Sequence, residues 1–200
     1  MFTGIIKKVS TVENVSYKNE SLFVAIKKPK GWKIQLGQSI AINGVCSTVK
    51  KISKDDFEVE YMPETIAKTT VENYAKGSLV NLETSMTLND LLDGHIVQGH
   101  VDTRGKIMEV KKVKESVVLK IKIPAKFMKF IADKGSVAID GISLTIANTG
   151  KDWLTVSLVS FTLENTNLGS VKIGDSVNIE TDVLAKYLFK LLDRSGLTRS

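Results

Sequence analysis

The reactive chemistry available to this chain is concentrated in few residues. There is one cysteine, Cys46, and there are two histidines, His95 and His100. A thiol is a nucleophile once ionised, and an imidazole, whose unperturbed pKa lies near neutrality, suits proton transfer. Cys46 sits in Ser39-Ile40-Ala41-Ile42-Asn43-Gly44-Val45-Cys46-Ser47-Thr48-Val49. That stretch recurs as Ser136-Val137-Ala138-Ile139-Asp140-Gly141-Ile142-Ser143-Leu144-Thr145-Ile146, an offset of 97 residues from Asn43 to Asp140. The copies differ at the reactive positions. Cys46 becomes Ser143, Ser85 becomes Asp182, and Gly4-Ile5 corresponds to Gly99-His100. One copy offers a thiol, the other an imidazole and a carboxylate. Two similar pockets with different reactive groups suit two similar molecules in different roles.

His95 and His100 are five residues apart in one extended region, so they should face opposite ways. One of the two should then be structural, and we take that one to be His95. Asp182 stands just before a helical stretch, where a capping role competes with a chemical one.

The elements that must hold these groups follow from the same stretch. Asn43-Gly44 between alternating apolar runs predicts a two-residue hairpin, because both turn positions tolerate positive φ. Pairing outward from the turn sets Ile42 opposite Val45, Ala41 opposite Cys46 and Ser39 opposite Thr48. Ser39, Ala41, Cys46 and Thr48 then share one face, and Ile40, Ile42, Val45, Ser47 and Val49 share the other. The apolar set should fill a core. The small, uncharged set should point away from it and offer a flat ligand room and hydroxyls. The second copy divides the same way, with Ser136, Ala138, Ser143 and Thr145 outward.

About six short strands precede residue 85: residues 1–12, Ser21 to Ile26, the hairpin pair, Phe57 to Tyr61, and Gly77 to Glu83. This spacing predicts a small antiparallel barrel. The second half repeats it, with strands over Val101 to Val110 and Ser116 to Ile123, a helical turn within Pro124 to Lys134, the second hairpin, Trp153 to Val159, and Gly174 to Thr181. Thr65/Thr162 and Asn81/Asn178 keep the offset of 97, so the halves should be copies of one fold. The expected architecture is mainly β: two tandem six-stranded antiparallel barrels over 1–94 and 95–182, followed by a helix and tail over 183–200. Leu184, Tyr187, Leu188 and Leu191 have helical spacing, and Gly196 is a stop signal. A helix outside both barrels either packs back on them or pairs with other subunits; we favour the second.

Bulk properties limit the function. A composition that is 42% hydrophobic supplies a core for each half. No run of about 18 apolar residues is present to cross a membrane, and the N-terminus lacks the order of a signal peptide. With a single cysteine, these features point to the cytoplasm. The net charge of +6 comes from scattered lysines. Aromatics are only 6% and absent from the hairpin faces, which argues against nucleic-acid binding.

Met1-Phe2-Thr3-Gly4-Ile5, Asn43-Gly44-Val45-Cys46, Gly94-His95-Ile96-Val97-Gln98-Gly99-His100-Val101-Asp102 and Asp140-Gly141-Ile142-Ser143-Leu144-Thr145 together resemble riboflavin synthase of the alpha-subunit type, over essentially the whole chain. The resemblance implies two lumazine-binding barrels and a helix that builds a homotrimer, which in some members sits inside a lumazine synthase shell. It implies that two molecules of 6,7-dimethyl-8-ribityllumazine dismutate to riboflavin and 5-amino-6-ribitylaminouracil, with no metal or organic cofactor. The active site would lie between the N-terminal barrel of one subunit and the C-terminal barrel of another.

The resemblance also implies roles. Cys46 and Ser39 would line the N-barrel pocket, His100 would shuttle protons, and Asp182 and Ser143 would act from the other barrel. Ser47, Thr48 and the stretch Glu60, Tyr61, Met62, Pro63, Glu64, Thr65 would contact one lumazine, with Gly99, His100, Val101 and Lys134 completing that site. Phe2, Gly4, Ile5, Ile6, Ser143, Leu144, Thr145, Ser157, Leu158, Val159, Ser160, Phe161 and Thr162 would contact the other. The chain departs from the family pattern at Ser47, where leucine is usual. It departs again at Asp93, and at Ser160-Phe161-Thr162 in place of Pro-Glu-Thr. A buried hydroxyl at Ser47 needs a partner or costs about 1–3 kcal/mol. The rival reading is a non-catalytic lumazine or flavin carrier of the same superfamily. The presence of Cys46, His95, His100 and Asp182 favours the enzyme.

Overall fold

The computed structural model of the chain describes residues 1–195. The first half contains strands β1 (Lys8–Lys18), β2 (Ser21–Lys27), β3 (Ser39–Ile42), β4 (Val45–Ile52) and β5 (Asp56–Tyr61), helix α1 (Pro63–Lys68) and strand β6 (Leu79–Thr84). These strands close into a barrel in the order β1-β2-β5-β4-β3-β6. The second half contains β7 (Thr103–Val113), β8 (Ser116–Lys122), β9 (Ser136–Ile139), β10 (Ile142–Thr149), β11 (Trp153–Leu158), helix α2 (Ser160–Asn165) and β12 (Ser176–Thr181). It closes as β10-β11-β8-β7-β12-β9, the same neighbours in the same arrangement. Helix α3 (Val183–Arg194) follows, so its last turn ends before the expected stop at Gly196, which lies outside the described residues.

Local sequence accounts for the barrels. In β5, Phe57, Val59 and Tyr61 are buried while Asp56, Glu58 and Glu60 are partly exposed, the alternation of a strand with one face on a core. Asn43 and Asp140 take φ of 44° and 45°, and the glycines after them 75° and 80°. The hairpins therefore have the expected turns and register: Ser39 opposite Thr48, Ala41 opposite Cys46, Ser136 opposite Thr145 and Ala138 opposite Ser143. Asn19 and Glu20, also at positive φ, turn β1 into β2.

Two expectations need correction. Residues 1–7 are not part of the first strand, which begins at Lys8, and β7 begins at Thr103 rather than Val101. The displaced segments are instead straps between the barrels. Phe2 and Val97 form an isolated antiparallel bridge, with Phe2 N–H donating to Val97 at 2.7 Å and Val97 N–H returning at 3.1 Å. The second correction concerns the hairpins' small-residue face. Ala41 and Ala138 are buried with Phe2 and Val97 in a third apolar cluster, with Cys46 against it. Part of the face expected to await a ligand is thus the seam where the barrels dock.

Polar groups lock the seam at its other end. Asn81 Nδ2 donates to the Asp140 carbonyl at 3.0 Å, and its twin Asn178 Nδ2 donates to the Asn43 carbonyl at 2.8 Å. Asp140 accepts from Asn178 N–H at 2.7 Å and from Asn167 Nδ2 at 2.8 Å. Burial of this carboxylate outweighs those bonds and pushes its pKa from 3.8 up to about 6. A folded-state pKa above the unfolded value means the native state holds the proton longer. The corresponding stability is fully present below about pH 4 and is lost as pH rises through about 6, an effect of ~3 kcal/mol at most. The Asp140 contribution to unfolding free energies from urea titrations should therefore fall between pH 4 and 7, against an opposite slope from buried His95. Asp140→Asn should shallow that slope without removing it, because buried Glu83 and Glu180 are shifted in the same sense. Identical slopes in the two proteins would contradict this assignment.

Candidate functional site

A pocket of about 360 Å³ opens at Cys46. Its first-barrel walls are Val45 and Cys46 of β4, Glu64, Thr65 and Lys68 of α1, and Thr69; Gly99, His100 and Val101 of the strap close it. Pro63 at the first position starts α1, where its missing N–H costs nothing. Glu64 pairs with Lys68 at 2.7 Å, and the Lys68 bond lowers the carboxyl's pKa. The Thr65 carbonyl accepts from the N–H and hydroxyl of Thr69, ending the helix at 3.1 and 2.7 Å. The strap lies directly on the hairpin, with Cys46 N–H donating to the Gly99 carbonyl at 2.9 Å. Gly99 has φ +78°, and a Cβ there would stand 2.6 Å from the Cys46 Cβ, so only glycine permits this approach.

The second half repeats the arrangement with different chemistry. Ser143 N–H donates to the Gly4 carbonyl at 2.8 Å. A Cβ on Gly4 (φ +77°) would meet the Ser143 Cβ at 2.6 Å. Here a residue expected to be structural enters the site: His95 Nδ1 lies 2.6 Å from Ser143 Oγ. Burial lowers the His95 pKa, and the Asp182 carboxylate opposes that shift. Burial thus favours the neutral imidazole, which is bonded to a hydroxyl and under the field of a carboxylate, an arrangement able to accept or relay a proton. Asp182 also caps α3, its Oδ1 accepting from Leu184 N–H at 2.9 Å. Both roles anticipated for Asp182 are compatible with its position. The signal for His95 was the residue before it: any side chain on Gly94 would overlap the Thr3 carbonyl and Ser143, so Gly94 is what lets His95 approach.

The two histidines accordingly serve different barrels. His100 is exposed and lines the Cys46 pocket, while His95 belongs with Ser143. Other expected contact residues are dispersed. Phe2 is fully buried between the barrels and has no surface for a ligand. Ser47, Tyr61 and Leu158 face the barrel cores. Ser47 Oγ donates to the Val45 carbonyl at 2.9 Å and shares a 2.9 Å hydrogen bond with the Tyr61 hydroxyl. This is the partner its unusual hydroxyl required, and burial raises the Tyr61 pKa. Leu144 packs on the second core, and Ile6, from the first strap, packs on that same core.

Ser39 and Thr48 pair across the hairpin but do not line the Cys46 pocket. Glu60 is ion-paired with Lys50, which lowers its pKa. Thr145, Ser157 and Ser160 are exposed, as are the large apolar side chains of Met62, Val159 and Phe161. Thr162 is half-buried in α2, its carbonyl accepting from Thr166 Oγ1 at 2.7 Å. Ile5 N–H donates to Thr3 Oγ1 at 3.2 Å. Lys134 occupies a left-handed turn (φ 66°), exposed and outside the Cys46 pocket of its own chain.

Residues 3–85 and 98–182 each match the lumazine binding domain family. The chain is 41% identical over 193 residues to riboflavin synthase of Actinobacillus pleuropneumoniae, covering 96% of this chain and 90% of that protein. It is 38% identical over 197 residues to riboflavin synthase of Bacillus subtilis strain 168, covering 98% and 92%. Among solved structures, LumP complexed with riboflavin superposes with a TM-score of 0.85 at 25% identity, covering 90% of this chain and 99% of that one.

Proposed function

The chain belongs to the riboflavin synthase family of duplicated lumazine-binding barrels, and from that premise we infer that it dismutates 6,7-dimethyl-8-ribityllumazine to riboflavin and 5-amino-6-ribitylaminouracil. The observation that carries this reading is near full-length identity to two riboflavin synthases, across both halves of the duplication. The structure supplies the asymmetry such a reaction needs. Two identical substrates must play donor and acceptor of a four-carbon unit, and the chain holds two twin sites whose reactive groups differ.

Holding two rings face to face converts an encounter of two molecules into a reaction within one complex, which can supply a large part of the rate enhancement. The 7-methyl group of the lumazine is acidic because its carbanion delocalises into the ring, so a neutral imidazole is a sufficient base. His95, bonded to Ser143, and His100, beside Cys46, are the proton carriers in this reading. Cys46 stands at the acceptor-side pocket, as nucleophile or polarising group. Ser39 and Lys134 do not line that pocket within one chain, and their roles fall to contacts between subunits.

Helix α3 supports assembly. Leu184, Tyr187, Leu188 and Leu191 are all more than half exposed, an apolar stripe with the spacing of one helix face. The helix is tied to its own chain through Phe189, edge-on to Phe130 at 5.4 Å, and Lys186, bonded to Asp102 at 2.7 Å. The stripe fits a homotrimer whose sites form between subunits. Among the described residues no helix is long and apolar enough to cross a membrane, and with one free cysteine we place the protein in the cytoplasm.

Purified protein given the lumazine alone should yield riboflavin and 5-amino-6-ribitylaminouracil in equal amounts, followed by chromatography and absorbance. Tight lumazine binding without riboflavin formation would replace this reading with that of a carrier. The carrier reading is favoured only by the fold it shares with LumP, and identity to the synthases is higher.

A further inference from the structure

The first barrel does not complete the Cys46 pocket by itself. Gly99, His100 and Val101 arrive on a strap, and the carboxylates that anchor that strap on either side of His100 belong to the second half. Gln98 N–H and Gly99 N–H donate to the two carboxylate oxygens of Glu180, at 2.7 and 2.9 Å. Glu180 lies in β12 and is only 3% exposed. On the far side of His100, Asp102 N–H donates to the Ile179 carbonyl at 2.9 Å. Asp102 Oδ2 accepts from the N–H and hydroxyl of Thr181, both at 2.8 Å, and Oδ1 is bonded to Lys186 of α3 at 2.7 Å. Between these anchors the strap touches the first barrel, where the Gly99 carbonyl takes the Cys46 N–H and Val101 packs on the first core.

We propose that Glu180 and Asp102 are positioning residues for the Cys46 pocket, second-half carboxylates that fasten the strap on either side of His100. A carboxylate that receives two consecutive backbone N–H groups fixes the plane of the peptide between them. With Asp102 bonded to Thr181 on the other side, His100 has little freedom except at its side chain. The twin supports the logic. Glu83 of β6 receives Thr3 N–H and Gly4 N–H at 2.6 and 3.0 Å, and the strap it holds lies on Ser143 of the other barrel. Each barrel thus holds the wall of its neighbour's site. Burial raises the pKa of both glutamates against these bonds. An apolar side chain would avoid that cost but could not orient a strap. The second strap is also linked to α3, through Lys186, so the seating of the C-terminal helix reaches His100 by an ion pair.

The kinetic part of this proposal rests on the riboflavin synthase reading; the structural part does not. In Glu180→Gln the amide NH₂ replaces one acceptor and faces a strap N–H, donor against donor, so the strap should lift from Cys46. In the full chain, alkylation of Cys46 by iodoacetamide should accelerate tenfold or more. Glu83→Gln, which frees the strap over Ser143 instead, should leave that rate within twofold. Lumazine turnover in Glu180→Gln should fall at least tenfold in kcat, with a smaller rise in KM, because the strap carries His100 but forms only one wall of the pocket. Should Glu180→Gln fail to fold, Asp102→Asn, which discharges the second anchor, carries the same expectations.

Wild-type alkylation and turnover in a variant with a lowered Tm would overturn the proposal and leave both carboxylates merely structural. Equal acceleration in Glu83→Gln would also overturn it, since it would show general loosening of the seam. If the unaltered protein neither binds nor converts lumazine, the riboflavin synthase reading fails, and the alkylation rates still decide the role of the strap.

Discussion

Replacing Gly44 by alanine should cost about 3–5 kcal/mol of stability, a large loss for the addition of one methyl group. Two effects combine. Gly44 has φ +75°, where an L side chain costs about 1–2 kcal/mol. The new Cβ would also lie 2.6 Å from the backbone nitrogen of Gly141 and 2.9 Å from its Cα. Those are backbone atoms of the twin turn, and they cannot swing aside as a flexible side chain would. The barrels must separate, which stretches the bonds from Asn81 to the Asp140 carbonyl and from Asn178 to the Asn43 carbonyl. Buried amides that lose partners cost about 1–3 kcal/mol each. Urea unfolding checks this, with Gly77→Ala as the comparison. Gly77 has φ +89° but nothing within 4 Å of the new methyl, so it should show the conformational cost alone. Equal losses in the two variants would refute the contact argument.

His95→Asn should lower kcat for lumazine dismutation by 10² to 10⁴, the range for loss of a positioned general acid or base. The 2.6 Å bond to Ser143 and the field of Asp182 fit this half-buried imidazole to move a proton. The pH profile sharpens the test. Burial holds the imidazole neutral below its ordinary pKa of 6.5. If the neutral form is the base, the acid limb of kcat/KM should lie below pH 6.5, and it should disappear from the residual activity of the variant. The same shift makes the fold less stable as pH falls through that region, because the unfolded chain binds the proton first. A folded His95→Asn protein with kcat within twofold of wild type would leave His95 a structural residue after all.

The hairpins were readable to the register, because Asn-Gly and Asp-Gly permit one turn type and a period of two does the rest. The barrel closure was readable too, since the duplication doubled every weak strand signal. What the pattern could not contain was the partner of each face. Ala41 and Ala138 look outward by periodicity and are outward, but outward proved to mean against the other barrel. Residues 1–7 alternate like a strand, yet the backbone N–H groups of Thr3 and Gly4 bond the Glu83 side chain rather than the backbone of a neighbouring strand. His95 and Ser143 are 48 residues apart, and no local rule joins them. Ser47 was the opposite case. Its core position was plain from the register, and the demand for a buried partner was met by Tyr61.

The crossed straps bear on how such a chain could have arisen. Thr3-Gly4 and Gln98-Gly99 make equivalent bonds to equivalent glutamates and lie on equivalent hairpins of opposite halves. That is the geometry of two identical ancestors exchanging their leading segments about a twofold axis. In such a pair every position is duplicated, so both sites must carry the same reactive residue. Joining the two copies into one polypeptide removes that constraint while leaving the docking unchanged. A thiol at 46 and a hydroxyl at 143 are then free to differ, and a symmetric pair of binders becomes an asymmetric one able to tell two identical molecules apart.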